Sequence, residues 1–413
     1  MYLFKKYLPQ INFIILLLLV IVMPFNHKST GLLIGLSALF SLLDGILNKS
    51  FHITNKRIFI TGIAFFLIHL ISVVYSNHKD IGWFDIEVKL SLLIFPIIFI
   101  VRNKFIQKYY KYIFIAFASS IILENIYLLS IGLYNAEIVN IWHVSDEEIW
   151  RFSSSNLSKY IHPSYLAMYN LFVISFLINQ FTKQKDKLRY LLIVPIIFLS
   201  FLIFLLQSKA GLIALSGIIL YTSLLFYNKI NNKLLKYSLP VFLLISLGFA
   251  ISQNHRMKSM YTSLVDIVQT GDSSSKSTGL RFEIWKATSK IIKQNLIFGV
   301  GAGDIKHEIN KEFKNHPSLL KEAIEKHLNV HNQYLETFLG QGIIGISLLL
   351  ALLYLAFKEA SKRKEWLLTA FLIIIVINFF PESMLNNRAG VIFFGFFYYY
   401  LFLFNKEERQ TTS

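Results

Sequence analysis

Apolar runs recur along almost the whole chain, and they constrain its fold more than any other feature. A bilayer's hydrocarbon core is about 30 Å thick, which a helix of about 20 apolar residues spans. Such runs fall near residues 11–25, 31–47, 58–75, 88–101, 112–133, 161–181, 190–207, 210–227, 237–252, 333–357, 366–380 and 389–404. Lipid offers no partner for a backbone N–H or C=O, so these segments are expected to cross as helices. The pattern predicts an all-α, polytopic membrane helix bundle of about twelve transmembrane helices. Residues 1–413 are read as a single membrane domain, with residues 253–332 as a large helical extracytoplasmic loop between the ninth and tenth spans. Lys5 and Lys6 precede the first run as in a signal peptide, but no small-residue cleavage site follows. Residues 11–25 are therefore read as a retained helix.

The net charge of +17 raises nucleic acid as a partner, and the placement of the charges argues against it. When the runs are threaded alternately, one set of loops is dense in Lys and Arg. It holds clusters at Lys5–Lys6, Lys49–Arg57, Arg102–Lys111, Lys183–Arg189, Lys229–Lys236, Lys358–Lys364 and Lys406–Arg409. The short loops of the other set hold few: Lys28, Lys79, Arg151, Lys159, Lys209 and Arg388. This asymmetry is the positive-inside pattern and places both termini in the cytoplasm. The polar segment 134–160, with Trp142 and Trp150, is the second expected extracytoplasmic segment. The chain has no cysteine, which removes disulfides, thiolate catalysis and cysteine-ligated metals.

Within the long loop, "GDSSSKSTG" at 271–279 lacks the second glycine of a phosphate-binding P-loop, and no strand precedes it. Arg281 to Asn295 has helical spacing, with Ile284, Ala287, Ile291 and Ile292 on its apolar side and Arg281 one turn from Trp285. Gly299, Gly301 and Gly303 break that helix, and Pro317 can begin another through Leu320, Ile324 and Leu328. From His331, the residues Tyr334, Phe338, Gly342 and Gly345 fall on one helical stripe. Glycines there are expected to admit a neighbouring helix, which places His331 at the mouth of a packed seam.

Four residues carry the chemistry on this reading: His162, Lys209, Arg281 and His331. Each also has an ordinary structural explanation, as a helix-start histidine, a snorkelling lysine, a solvated arginine and a capping histidine. The threaded topology puts all four on the extracytoplasmic side. A metal site at His327 and His331 with Glu325 and Glu336 is disfavoured, since no H-E-x-x-H pattern is present.

The segment "HNQYLETFLGQGIIG" resembles the signature of the bacterial O-antigen ligase and O-antigen polymerase superfamily. "RFEIWKATSKIIKQNLIFGVGAG" is similar to the family's preceding loop segment, and "QSKAGLIAL" and "HPSYLA" also fit. The family usually has arginine at the position of Lys209, and lysine keeps the charge without the planar fork. The resemblance implies a membrane glycosyltransferase of the GT-C type, metal-independent, inverting and without a cofactor. Its donor would be a glycan on undecaprenyl diphosphate at the outer face of the bacterial cytoplasmic (inner) membrane. The acceptor would be lipid A–core for an O-antigen ligase, a growing glycan for a polymerase, or a protein for an O-oligosaccharyltransferase. His331 and Arg281 are the expected catalytic residues, with Arg281 and Lys209 on the diphosphate. His162, Tyr165, Trp285, Asn332 and Tyr334 are expected to bind substrate. A lipid-linked glycan transporter is the competing class; it commonly shows repeated halves, which this chain lacks.

Overall fold

The computed structural model describes residues 2–25, 27–53, 55–101, 104–135, 152–227, 241, 248, 252, 255–270, 277–315 and 329–402. Among the described residues, fifteen α-helices of eight or more residues carry the fold: α1 (Tyr2–Val22), α2 (His27–Asn48), α3 (Lys56–Val74), α4 (Lys79–Lys89), α5 (Ser91–Phe99), α6 (Tyr110–Asn135), α7 (Pro163–Lys183), α8 (Ile193–Leu205), α9 (Lys209–Phe226), α10 (His255–Thr270), α11 (Ser277–Gln294), α12 (Ile305–Glu312), α13 (Gln333–Arg363), α14 (Trp366–Phe379) and α15 (Arg388–Phe402). Among the described residues there is no strand, only an isolated bridge between Phe51 and Val101.

The helices sort by how much of their apolar surface the bundle covers. Every residue of α15 from Ala389 to Tyr400 is buried, and α7 is buried from Tyr165 to Leu177. Phenylalanine rings from α6, α7, α14 and α15 interlock between them; Phe172 and Phe397 lie 4.5 Å apart, Phe117 and Phe397 4.9 Å. By contrast, α8 leaves Val194, Ile197 and Phe201 exposed, and α2 exposes Leu32, Leu39 and Ile46. Apolar side chains exposed along one face of an apolar helix suit contact with lipid.

Seven helices among the described residues are long and apolar enough to cross a membrane, and α9, α14 and α15 are shorter apolar helices. The protein is a multi-pass, all-helical membrane protein. The expected run at 88–101 is divided between the end of α4 and the 9 residues of α5 by a break in helical bonding at Leu90, whose dihedrals stay helical. Lys89, at that break, is buried against Asp85 and Asn386. The expected ninth span at 237–252 falls outside the described residues save three isolated positions, as do most of 134–160, including Trp142 and Trp150, the segment 271–276, and the helix expected from Pro317 to Leu328.

The segment read as a loop is helical, with α10, α11 and α12 in it. Leu280, Ile284, Ala287 and Ile291 recur at helical spacing and are buried against Leu339 and partly buried Leu335 and Phe338 of α13. That apolar stripe seats α11 on the first turns of α13.

Candidate functional site

Gly342 of α13 meets a loop rather than a helix. At Gly342 the backbone turns to φ +63°, so α13 kinks instead of running straight from Gln333 to Arg363. The kink leaves carbonyls without helical partners. Val300 N–H donates to Leu339 O at 2.8 Å, Gly301 N–H to Gly340 O at 3.0 Å, and Ile343 N–H to Leu296 O at 2.8 Å. A side chain on Gly342 would strike the Ile297 carbonyl. The expected straight stripe through Gly342 is therefore corrected: backbone bonding to the glycine cluster, not helix packing, needs that glycine. Asp304 fixes the cluster's far end by accepting from Asn77 N at 2.7 Å and His78 N at 3.0 Å. Burial alone would raise the Asp304 carboxyl; these bonds and its pairing with His78 hold it below its ordinary value.

The start of α13 is tied to the turn after α14. Asn332 caps the helix, its side chain accepting from Leu335 N at 3.1 Å, while Asn332 N–H donates to Ser383 Oγ at 3.2 Å. Gln333 Oε1 accepts from Leu385 N at 2.7 Å. Glu336, buried, accepts from Ser383 and Asn386 side chains and from Val330 N. These bonds hold His331, whose φ of +51° is a strained left-handed conformation for a non-glycine residue, beside Glu382.

Glu382 is the centre of the polar cluster. Its Oε1 accepts from Arg281 at 3.1 Å, and its Oε2 lies 3.4 Å from His331 Nδ1. Burial alone would raise this carboxyl. The hydrogen bond with His331, then the charges of Arg281, His331 and His162, outweigh burial and hold it below its ordinary value. His162 enters as the N-cap of α7, accepting from Ser164 N at 3.3 Å. Lys209 enters as the first residue of α9, capped by Ser208, and donates to Thr278 Oγ1 at 2.9 Å. Gly211 allows this end of α9 to press against Ala167 of α7.

Two cavities meet here. A polar one of about 400 Å³ is lined by His162, Lys209, Thr278, Arg281 and Glu382, among others. An apolar one of about 570 Å³ shares Lys209, Thr278 and Arg281 with it and continues along Ile213, Trp285, Tyr334 and Phe380. His162, Lys209, Arg281 and His331 are thus brought together through Glu382 and these cavities, as are Trp285 and Tyr334 on the apolar side. His331 lines neither cavity and reaches the site through Glu382. Tyr334 donates its hydroxyl to Val376 O at 3.2 Å, and Trp285 Nε1 donates to Val330 O at 2.9 Å, so both polar tips are engaged by backbone. Tyr165 is buried 6.1 Å from the His162 ring. Asn332 is buried as a cap. The residue that sequence reasoning missed is Glu382; its signal was a carboxyl after Pro381 between two apolar runs. Among the described residues no group of three or more His, Asp or Glu is arranged to hold a metal; His327 and Glu325 lie outside them.

A multi-pass helical membrane protein with a cation-bearing polar cavity open beside an apolar one is the class that fold and site define. Within that class, residues 194–350 are similar to a known family: they match the family model described as O-antigen ligase. The match covers Lys209, Arg281 and His331 and stops short of Glu382. The chain is also similar to an uncharacterized protein of Haemophilus influenzae, 22% identical over 350 residues that span 81% of this chain and 80% of the relative.

Proposed function

We propose that this protein is a metal-independent, inverting glycosyltransferase that moves a glycan from undecaprenyl diphosphate to an acceptor hydroxyl. The reading places the reaction at the outer face of the bacterial cytoplasmic membrane and takes lipid A–core as the acceptor, as an O-antigen ligase would. The observation that carries it is the paired cavity: Arg281 and Lys209 stand where the polar chamber opens into the apolar one. A lipid diphosphate has that same division, an anionic head joined to a hydrocarbon tail.

The acceptor oxygen forms a bond to the anomeric carbon as the bond from that carbon to the diphosphate breaks. Negative charge develops on the leaving diphosphate, where preorganised cations stabilise it most. Arg281 uses one edge on Glu382 and has further N–H donors for phosphate oxygens. Lys209 adds a point charge. His331, oriented by Glu382, binds the acceptor hydroxyl or takes its proton. The Trp285 ring and the apolar wall along Ile213 and Phe380 receive the lipid chain.

Purified protein incubated with a lipid-linked oligosaccharide and, in turn, lipid A–core, free glycan and a protein acceptor tests the reading. Transfer to lipid A–core alone is the expected result. Transfer only to a growing glycan reassigns the protein as a polymerase, and movement of donor across vesicles without transfer makes it a transporter.

A further inference from the structure

A second groove, of about 720 Å³, lies along the adjoining flank of α11. Phe282, Trp285 and Phe313 give it aromatic surface, and Lys286, Lys290 and Lys293 give it charge. The lysines follow from helical spacing: positions 286, 290 and 293 recur on one face of α11, and all three side chains are exposed. Glu283 and Glu312 also line the groove. Lys290 pairs with Glu312, whereas Lys286 and Lys293 make no ion pair among the described residues. The lining is therefore cationic in balance.

The groove differs from the apolar cavity in its walls. All its lining residues lie in 282–293 or at 312–313, and none comes from a candidate membrane span. The apolar cavity, by contrast, takes residues from α9, α13 and α14. Phe282 and Trp285 line both, so the groove meets the proposed donor chamber across those two rings. A hydrocarbon chain has no reason to occupy a lysine-flanked groove away from the spans. A water-soluble chain with flat apolar sugar faces and anionic substituents matches aromatic rings set beside a row of ammonium groups.

We propose that this groove binds the acceptor, and that the acceptor is an acidic saccharide. The inference rests on the glycosyl-transfer reading of the neighbouring chamber and adds the chemical class of the second substrate. The acidic sugars lie along Lys286 and Lys293, and the reacting end passes over Phe282 and Trp285 toward Arg281.

The test is calorimetric titration of the purified full-length protein with hexagalacturonate, an acidic hexasaccharide, and with neutral maltohexaose. Hexagalacturonate is expected to bind, and maltohexaose to bind about tenfold more weakly or not at all. Lys286→Gln combined with Lys293→Gln should weaken hexagalacturonate about tenfold, and Lys→Arg at both positions should restore it. Undecaprenyl diphosphate binding, measured separately, should be unchanged in the same double glutamine variant, so failure of the groove and failure of the donor site are told apart. Equal affinity of the double glutamine variant and the parent would overturn the proposal. Equal binding of the neutral hexasaccharide would also overturn it, as would lysine-dependent binding confined to phosphatidylglycerol vesicles.

Discussion

Around Phe172, phenylalanine rings from four helices meet, and Phe371, Phe393 and Phe397 lie 4.5–5.5 Å from it. Where α7 begins and α14 ends, the same two helices present His162 and Glu382 to a polar chamber instead. In the interior, close packing and burial hold the bundle, and many apolar side chains of similar volume can serve. At the chamber, each charged group is held by a particular partner: Arg281 and His331 by Glu382, Lys209 by Thr278. The contrast teaches that the two regions should fail differently. Interior changes should lower stability and spare turnover per folded molecule; chamber changes should do the reverse.

The interior provides the largest expected effect. Phe172→Ala should destabilise by about 3–5 kcal/mol through the lost burial and the cavity left behind. Thermal unfolding in detergent should report the loss, while the transfer rate per folded molecule stays within about twofold of the parent. A matching fall in turnover would break the division.

Arg281→Ala and His331→Ala should each slow transfer about 100- to 1,000-fold, the scale seen when one preorganised stabilising group is removed. Both variants should elute as folded protein, since neither change opens an apolar cavity. Near-parental rates for a folded variant remove that residue from the mechanism.

Lys209→Gln should slow turnover roughly 30- to 150-fold, equivalent to about 2–3 kcal/mol of transition-state stabilisation. Lys209→Arg should retain substantial activity because charge is the requirement. A silent glutamine variant would show that Lys209 only anchors its helix end through Thr278.

Gly342→Ala falls between the two regions, because it disrupts the junction that seats α11 without touching a charge. A non-glycine residue at φ +63°, aimed at the Ile297 carbonyl, should cost about 1–3 kcal/mol. Reduced thermal stability together with reduced turnover is expected, since α11 carries Arg281.

Much of this arrangement was legible from residue order alone. The apolar runs disclosed most of the helices, and the spacing of Ile284, Ala287 and Ile291 disclosed α11, because both signals are local. The kink at Gly342 was not legible: the apolar pattern of α13 reads straight through it, and the carbonyl that forbids a side chain there belongs to Ile297. Asn332 and Tyr334 are expected from sequence to touch substrate; in the structure Asn332 caps α13 and bonds to Ser383, and Tyr334 lines the apolar cavity with its hydroxyl bonded to Val376. Those partners lie on other elements that spacing cannot bring near. Glu382 was visible as an isolated carboxyl but had no stated role until Arg281 and His331 closed on it.

The smallest effect concerns acid. The carboxyl of Glu382 sits below its ordinary value in the folded protein, so its stabilising contribution is complete above the unfolded carboxylate value of about 4.3. It is lost as pH falls through the folded value. The melting temperature of the parent should therefore drop on acidification by a few degrees more than that of Glu382→Gln. Parallel acid profiles would show that the cluster adds nothing to stability.

On the proposed function, the paired cavities hold a lipid diphosphate. Native mass spectrometry of the purified protein with undecaprenyl diphosphate and with undecaprenol tests it directly. The diphosphate should bind more tightly than the alcohol, and Arg281→Ala combined with Lys209→Gln should remove that preference while the alcohol still binds. Equal retention of the two lipids by the parent protein, or an undiminished preference in the double variant, would contradict it.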